Sequence, residues 1–204
     1  SIPIIRINWR RLNNYADGFE WNPFSPNTAA LKLLRTPEHF RRSAQLIKSI
    51  IETKLVVVKM GPYEEEQKAE WLNLVNGFID GGGKGLSAVN TYMVPKEKVP
   101  SKEWGYQSAG RSGPFLQPYR DRAIKDARKE FPHIFIFAAG GINSGEQAWN
   151  ALQYADALDK YTSLTFDGFG SEIEIANYIR KKLKEKGHRN LKEFMTERNK
   201  KFVN

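Results

Sequence analysis

No cysteine occurs anywhere in the 204 residues. A disulfide framework, a thiolate metal site and a cysteine nucleophile are therefore excluded within this chain, and the composition suits a reducing compartment. Histidine is almost as scarce: His39, His133 and His188 are far apart. They show no metal-ligand spacing with one another or with a carboxylate cluster, so no metal is expected and all three read as surface or loop residues. No apolar run approaches the ~20 residues that span a bilayer, and the first residues carry no signal-peptide pattern. Low-complexity tracts are missing too, and 40% hydrophobic residues suffice for one substantial core. Acidic residues are outnumbered, 23 against 32 Lys and Arg, for a formal charge of +9. That excess favours phosphates, an anionic membrane surface, an acidic substrate or an anionic cofactor. Basic and aromatic residues do not interleave as in a nucleic-acid motif, so no nucleic-acid partner is expected.

What the chain does have is a series of short, continuous apolar runs. Val56-Val57-Val58 ends in Lys59, Ala88-Val89 ends in Asn90-Thr91, and Phe135-Ile136-Phe137-Ala138-Ala139 ends in Gly140-Gly141. Such runs are the pattern of strands buried on both faces of a parallel sheet. A polar or glycine residue stands at the same end each time, which is how a (β/α)8 TIM-type barrel gathers its chemistry at one mouth. The expected strands are Ile4 to Asn8, Gly18 to Trp21, Leu55 to Lys59, Gly85 to Val89, Ile134 to Ala138 and Ala157 to Tyr161.

Amphipathic segments separate these runs. Thr36-Pro37-Glu38 is a helix start, with a capping hydroxyl and proline at the first helical position. Phe40, Ala44, Ile47 and Ile51 then fall on one face. Ala69, Leu72, Val75 and Ile79 form a second stripe. Ser171 and Glu174 read as a capping box opening a helix from Glu172 to about Lys186, with Gly187 after it. Gly81-Gly82-Gly83-Lys84-Gly85 lacks the spacing of a phosphate loop and reads as a helix C-cap.

The segment Asn22-Pro23-Phe24-Ser25-Pro26-Asn27-Thr28 offers two amides and a hydroxyl from a backbone stiffened by two prolines. Alone it would most often be a turn. With Lys59, Asn90 and Thr91 at other strand ends, it points to a site that reads a planar polar ligand. Gly140-Gly141 and Tyr161-Thr162-Ser163 end the last two strands, whose loops bind phosphate in many barrels.

In this order and spacing, Asn22-x-x-Ser25-Pro26-Asn27-Thr28, Lys59, Asn90-Thr91, Gly110-Arg111-Ser112-Gly113, Gly140-Gly141-Ile142 and Tyr161-Thr162-Ser163-Leu164 resemble the dihydroorotate dehydrogenases. The likeness is greatest to class 2, the quinone-reducing group, and runs from about Asp17 to the C-terminus. It implies an FMN-dependent oxidation of (S)-dihydroorotate to orotate in pyrimidine biosynthesis, hydride passing from C6 to flavin N5. Ser25 falls at the position of the class 2 base that takes the C5 proton; the class 1 cysteine base is excluded. The resemblance implies substrate contacts from Asn22, Asn27, Asn90 and Thr91. It also implies flavin contacts from Asn8, Asn22, Lys59, Asn90, Ser112, Gly113, Gly140, Gly141, Tyr161 and Thr162, with Lys59 near flavin N1 and O2. Quinone or another acceptor would take the electrons, in the cytoplasm or at the periphery of an inner membrane, and oligomeric state is left open.

The chain also departs from that family. A barrel of this kind takes about 250 residues, whereas some six of eight strands are recognisable here, so residues 1–204 read as a single FMN-binding β/α barrel domain lacking its first βα units. About nine residues separate Asn8 from Gly18, fewer than the ~10–12 of a parallel crossover. A fragment, a chain with stretches left out, or a subunit completed by another would each explain this. Pro23 and Phe24 replace smaller residues, Phe24 being able to crowd or to reshape the substrate pocket, and Ala109 stands where glycine is common. Tyr154 to Lys160 is unusually polar. Action on another dihydropyrimidine, or a degenerate non-catalytic homologue, is the alternative these changes raise.

Overall fold

The computed structural model of the chain describes residues 11–25, 29–51, 54–101 and 105–203. The expected strand at Ile4 to Asn8 lies outside them. Each apolar run that precedes an amphipathic helix becomes a parallel strand, because the helix returns the chain to the starting end of the sheet. β1 (Gly18–Trp21) leads to α1 (Pro37–Lys48), and β2 (Leu55–Met60) to α2 (Lys68–Asp80). β3 (Gly85–Ala88) is followed by a ribbon of β4 (Tyr92–Pro95) and β5 (Ser108–Arg111), then α3 (Gln117–Glu130). β6 (Phe135–Ala139), α4 (Gly145–Ala151), β7 (Ala157–Asp159), α5 (Thr162–Asp167), α6 (Gly170–Glu185) and α7 (Leu191–Val203) follow. The parallel sheet has the order β1-β2-β3-β6-β7, and β4 and β5 pair antiparallel beside it.

Alternation along the strands gives the sheet two faces. Trp21, Val58, Leu86 and Ile136 are in register across it. Together with Met60, Ala88 and Ala138 they form one core with Phe40, Ala44, Val75, Phe78, Ile124 and Ala127 of the helices. Full burial of each larger side chain contributes about 1.5–3 kcal/mol. The opposite row, Lys59, Ser87, Phe137 and Ala157, faces away from the helices. That inner face is concave. Asp159 of β7 comes within 3.5 Å of Lys59 of β2, although three interstrand spacings of ~4.8 Å would hold those strands ~14 Å apart in a flat sheet. The sheet is rolled like a sector of a barrel wall, and the described residues form an incomplete (β/α) barrel.

Thr36 caps α1 as expected, its Oγ1 accepting from the His39 N–H, and Phe40, Ala44, Ile47 and Ile51 are all buried. The α2 stripe holds in part: Val75 is buried and Leu72 and Ile79 pack against the core. Trp71, Leu74, Val75 and Phe78 are buried while Ala69 is exposed, because the larger rings claim the inward face. Trp71 donates its indole N–H to Gly61 O at 2.8 Å, and Phe78 stacks on Trp21. Ser171 is not an N-cap: α6 starts at Gly170, and the Ser171 hydroxyl donates back to Gly168 O at 2.7 Å. The triple glycine does end α2, with Gly83 N–H bonded to Phe78 O and Gly82 at φ +97°, a left-handed cap that glycine takes without strain. β7 stops at Asp159 rather than Tyr161, because Lys160 turns toward α6 to donate to Ser171 Oγ and pair with Glu172 at 3.4 Å. The β4–β5 ribbon was not anticipated, since Pro95 and Gly110 break its short strands and a long connection separates them.

One buried ionic cluster locks the last helix to the sheet. Asp156, just before β7, receives Arg128 of α3 at 2.5 Å and Arg198 of α7 at 2.6 Å, both guanidinium groups being almost wholly buried. Burial holds the Arg128 pKa below its ordinary value, against the pull of Asp156. Removing one partner of such a cluster strands the others in a dry interior. Asp156→Ala should lower stability by about 3–5 kcal/mol, measured as the loss of unfolding free energy in a urea titration.

Candidate functional site

All five parallel strands end at the same edge, so the loops after them share one mouth. Lys59 near the end of β2, Asn90 and Thr91 after β3, Ser112 and Gly113 after β5, Gly140 and Gly141 after β6, and Tyr161 and Thr162 after β7 line a single cavity of about 560 Å³. Val89, Leu116, Ile142 and Phe166 supply apolar wall. Among the residues singled out from the sequence, Asn22 and Ser25 do not line this cavity, and Asn8 and Asn27 lie outside the described residues.

Asn22 is nevertheless tied to the cavity through one side chain. Asn90 Nδ2 donates to Asn22 Oδ1 at 3.2 Å and to Phe24 O at 3.0 Å, while Asn90 Oδ1 accepts the Thr91 N–H at 2.8 Å. A single amide thereby fixes the loop after β1 against the loop after β3. Phe24 does not crowd the cavity. Its ring seats on Gly61, where an added Cβ would come within 2.5 Å of it, and meets Phe40 edge-on. Arg35 covers the other side, its guanidinium 4.3 Å from the ring centre and its Nε donating to Pro23 O at 3.2 Å. Thr91 Oγ1 is buried with no hydrogen-bond partner among the described residues.

At the glycine end, Gly140 and Gly141 have φ of +91° and +68°. A Cβ on Gly141 would stand 2.8 Å from the Gln117 amide nitrogen, so the loop lies flush on the first turn of α3. Arg120, fully buried, donates Nη1 to Gly140 O at 2.9 Å and Nη2 to Asp121 at 2.7 Å. Sequence reasoning missed Arg120. Its signal was an arginine on the apolar stripe Leu116, Ala123, Ile124 and Ala127, where only a fully hydrogen-bonded cation is tolerated. The β7 loop is stitched on by Thr162 Oγ1 donating to Ser112 Oγ at 3.1 Å and Ser163 Oγ donating to Ile142 O at 2.9 Å.

Charge is distributed unevenly in the cavity. Lys59 sits between Glu20 at 3.3 Å and Asp159 at 3.5 Å, and Lys160 is held by Glu172. Behind the Thr91 wall, the Tyr92 and Tyr119 hydroxyls both donate to Glu64, at 3.0 and 3.2 Å. The bond to that carboxylate is what most raises the Tyr92 pKa. The cavity thus offers a carboxylate-paired ammonium on its strand side and glycine loops with short hydroxyl side chains opposite, while the Thr91 hydroxyl is packed against Gly110. This arrangement suits an elongated ligand with a polar ring and an anionic end.

Residues 6–186 match the family model described as dihydroorotate dehydrogenase. A dihydroorotate dehydrogenase B (NAD(+)) catalytic subunit of Pyrococcus furiosus is 29% identical over 91% of this chain and 61% of its own length. A dihydroorotate dehydrogenase (quinone) of Nitratiruptor sp. is 26% identical over 90% of this chain and 51% of its own. The chain therefore spans about half to three-fifths of the length of these relatives. A crystal structure of DHODH from Eimeria tenella, in complex with ferulenol, superposes with a TM-score of 0.80 at 23% identity, covering 93% of this chain and 56% of that one. Matched by the family model over most of its length, and sharing the fold of such a neighbour, this chain belongs to the dihydroorotate dehydrogenase family.

Proposed function

We propose that the protein takes part in the FMN-dependent oxidation of (S)-dihydroorotate to orotate, the reaction of pyrimidine biosynthesis that the family's name describes. The observation that carries the reading is the cavity itself: residues from β2 and from four separate loops, chosen from the sequence, line one space of about 560 Å³. That volume lies in the range of small-molecule and cofactor sites, ~300–1,000 Å³. The fit to FMN is supported by the glycine loop at 140–141, which lets backbone N–H groups approach an anion, and by the Ser112 and Thr162 hydroxyl side chains that line the same end of the cavity. Ser112, Gly113, Gly140, Gly141, Tyr161 and Thr162 would hold the ribityl chain and phosphate, with Lys59, Asn90, Asn22 and Asn8 toward the ring. FMN, when bound, supplies the hydride acceptor.

The chain's own groups do the remaining work in this reading. Asn22, Asn27, Asn90 and Thr91 orient the pyrimidine, their amides offering donor and acceptor to alternating ring groups. Ser25 takes the C5 proton. A hydroxyl needs local activation for that, and the Asn90 bond to Phe24 O holds the loop that carries Ser25 close to the β3 end. A quinone acceptor is favoured over NAD(+) by serine in place of cysteine at the base position; the relatives include both types. Among the described residues no helix is long and apolar enough to cross a membrane, and the reading places the protein in the cytoplasm or in peripheral contact with an inner membrane.

Two experiments test this, and a third tests how the loop at 22–25 is held. Protein reconstituted with FMN should be yellow and should bleach on anaerobic addition of dihydroorotate; a flavin that stays oxidised removes the proposed substrate. Ser25→Ala should bleach about 10²–10⁴-fold more slowly in stopped flow, and an undiminished rate would remove Ser25 as the base. Asn90→Ala removes both side-chain bonds to the loop at 22–25 and should speed hydrogen exchange of the Phe24 amide, itself bonded to Asn22 Oδ1, about 30-fold, the equivalent of two net hydrogen bonds of ~1 kcal/mol each. Unaltered exchange would show that the loop is held by other means.

A further inference from the structure

The inner face of the sheet is mainly uncharged: Val57, Ser87, Phe137 and Ala157 occupy it beside Lys59. Against that background three charged side chains meet at one point. Lys59 Nζ stands 3.3 Å from Glu20 Oε1 and 3.5 Å from Asp159 Oδ2. The carboxylates belong to β1 and β7, the two opposite edges of the sheet, so only the roll of the sheet brings them to the same ammonium. Both carboxylate side chains are partly open to solvent, at 36% and 42% exposure. Ion pairs that exposed contribute little to stability, and stability is a poor account of the arrangement. Its position is informative, because Lys59 and Asp159 both line the cavity.

We propose that Glu20 and Asp159 are positioning residues for Lys59, and that this deepens the flavin reading given above, on which it rests. A lysine head on a flexible stem is otherwise free to reach solvent. Two carboxylates on opposite sides hold it at the strand side of the cavity and offset its charge, leaving the trio at a formal −1. A bare ammonium at that point would favour the anionic reduced form of a flavin strongly. The clasp limits that preference and so sets how readily the site takes up electrons and gives them up.

The test compares dissociation constants for oxidised and for dithionite-reduced FMN, measured by fluorescence titration. It uses the native chain, Glu20→Gln, Asp159→Asn, and each of these combined with Lys59→Met. Each single neutralisation should raise the preference for reduced FMN about tenfold, equal to ~30 mV for a two-electron couple. Combined with Lys59→Met, the same change should have a clearly smaller effect, as a double-mutant cycle requires of coupled groups. An unchanged preference, or an equal change with and without Lys59, overturns the clasp and leaves the flavin reading standing. Absence of FMN binding by the native chain, with cooperative thermal unfolding intact, overturns the flavin reading and the clasp with it. The two carboxylates lie on different strands, so a folding defect in one variant leaves the other to decide.

Discussion

The covering of one face of a parallel sheet by helices is the constraint from which the rest of this structure follows. Trp21, Val58, Leu86 and Ile136 must be kept from water, and α1, α2 and α3 do so from one side only. Right-handed twist then rolls the sheet away from its helical coat. The inner face becomes concave, and groups at the two edges approach one another. The Glu20–Lys59–Asp159 contact is the most direct sign of that curvature. With strands all parallel, their C-terminal ends share one rim, and any side chain placed just beyond a strand is delivered to it.

Beyond that rim, precision depends on a second layer of polar residues. Asn90 ties the β1 loop to the β3 loop, Arg120 anchors the Gly140 carbonyl, and Asp156 pins α3 and α7 to the entrance of β7. These groups are buried or half-buried, and each uses its hydrogen-bonding capacity on backbone carbonyls or partner side chains. Such contacts cost a great deal when broken singly. They hold the loops rigid on an otherwise apolar scaffold, which is what a binding site needs of its supports.

Much of the fold was legible beforehand for local reasons. The apolar runs among the described residues, the Thr36-Pro37 helix start and the glycine cap after α2 depend on neighbours in the chain; each of them formed, the last strand ending two residues early at Asp159. The α2 stripe was only partly right: Val75 is buried and Leu72 and Ile79 pack on the core, but Ala69 is exposed, because Trp71 and Phe78 claim the inward face once a partner surface exists. The Ser171 cap failed for a related reason: Lys160 and Gly168 compete for its hydroxyl. Phe24 looked like an intrusion into the site, yet Gly61 and Arg35 give it a seat elsewhere. Apart from Gly168, none of those partners is near in sequence.

The sequence by itself determined the five parallel strands and the helices that follow the first two of them, the absence of thiol chemistry and the residue types set at each strand end, since these rest on local periodicity and composition. Only the tertiary structure decided which of those residues share a cavity, that Arg120 supports the glycine loop, and that Lys59 is clasped by carboxylates from opposite edges. The physical reason is that curvature and burial are collective. They bring together groups up to about 140 positions apart, such as Glu20 and Asp159, through packing that no local pattern encodes.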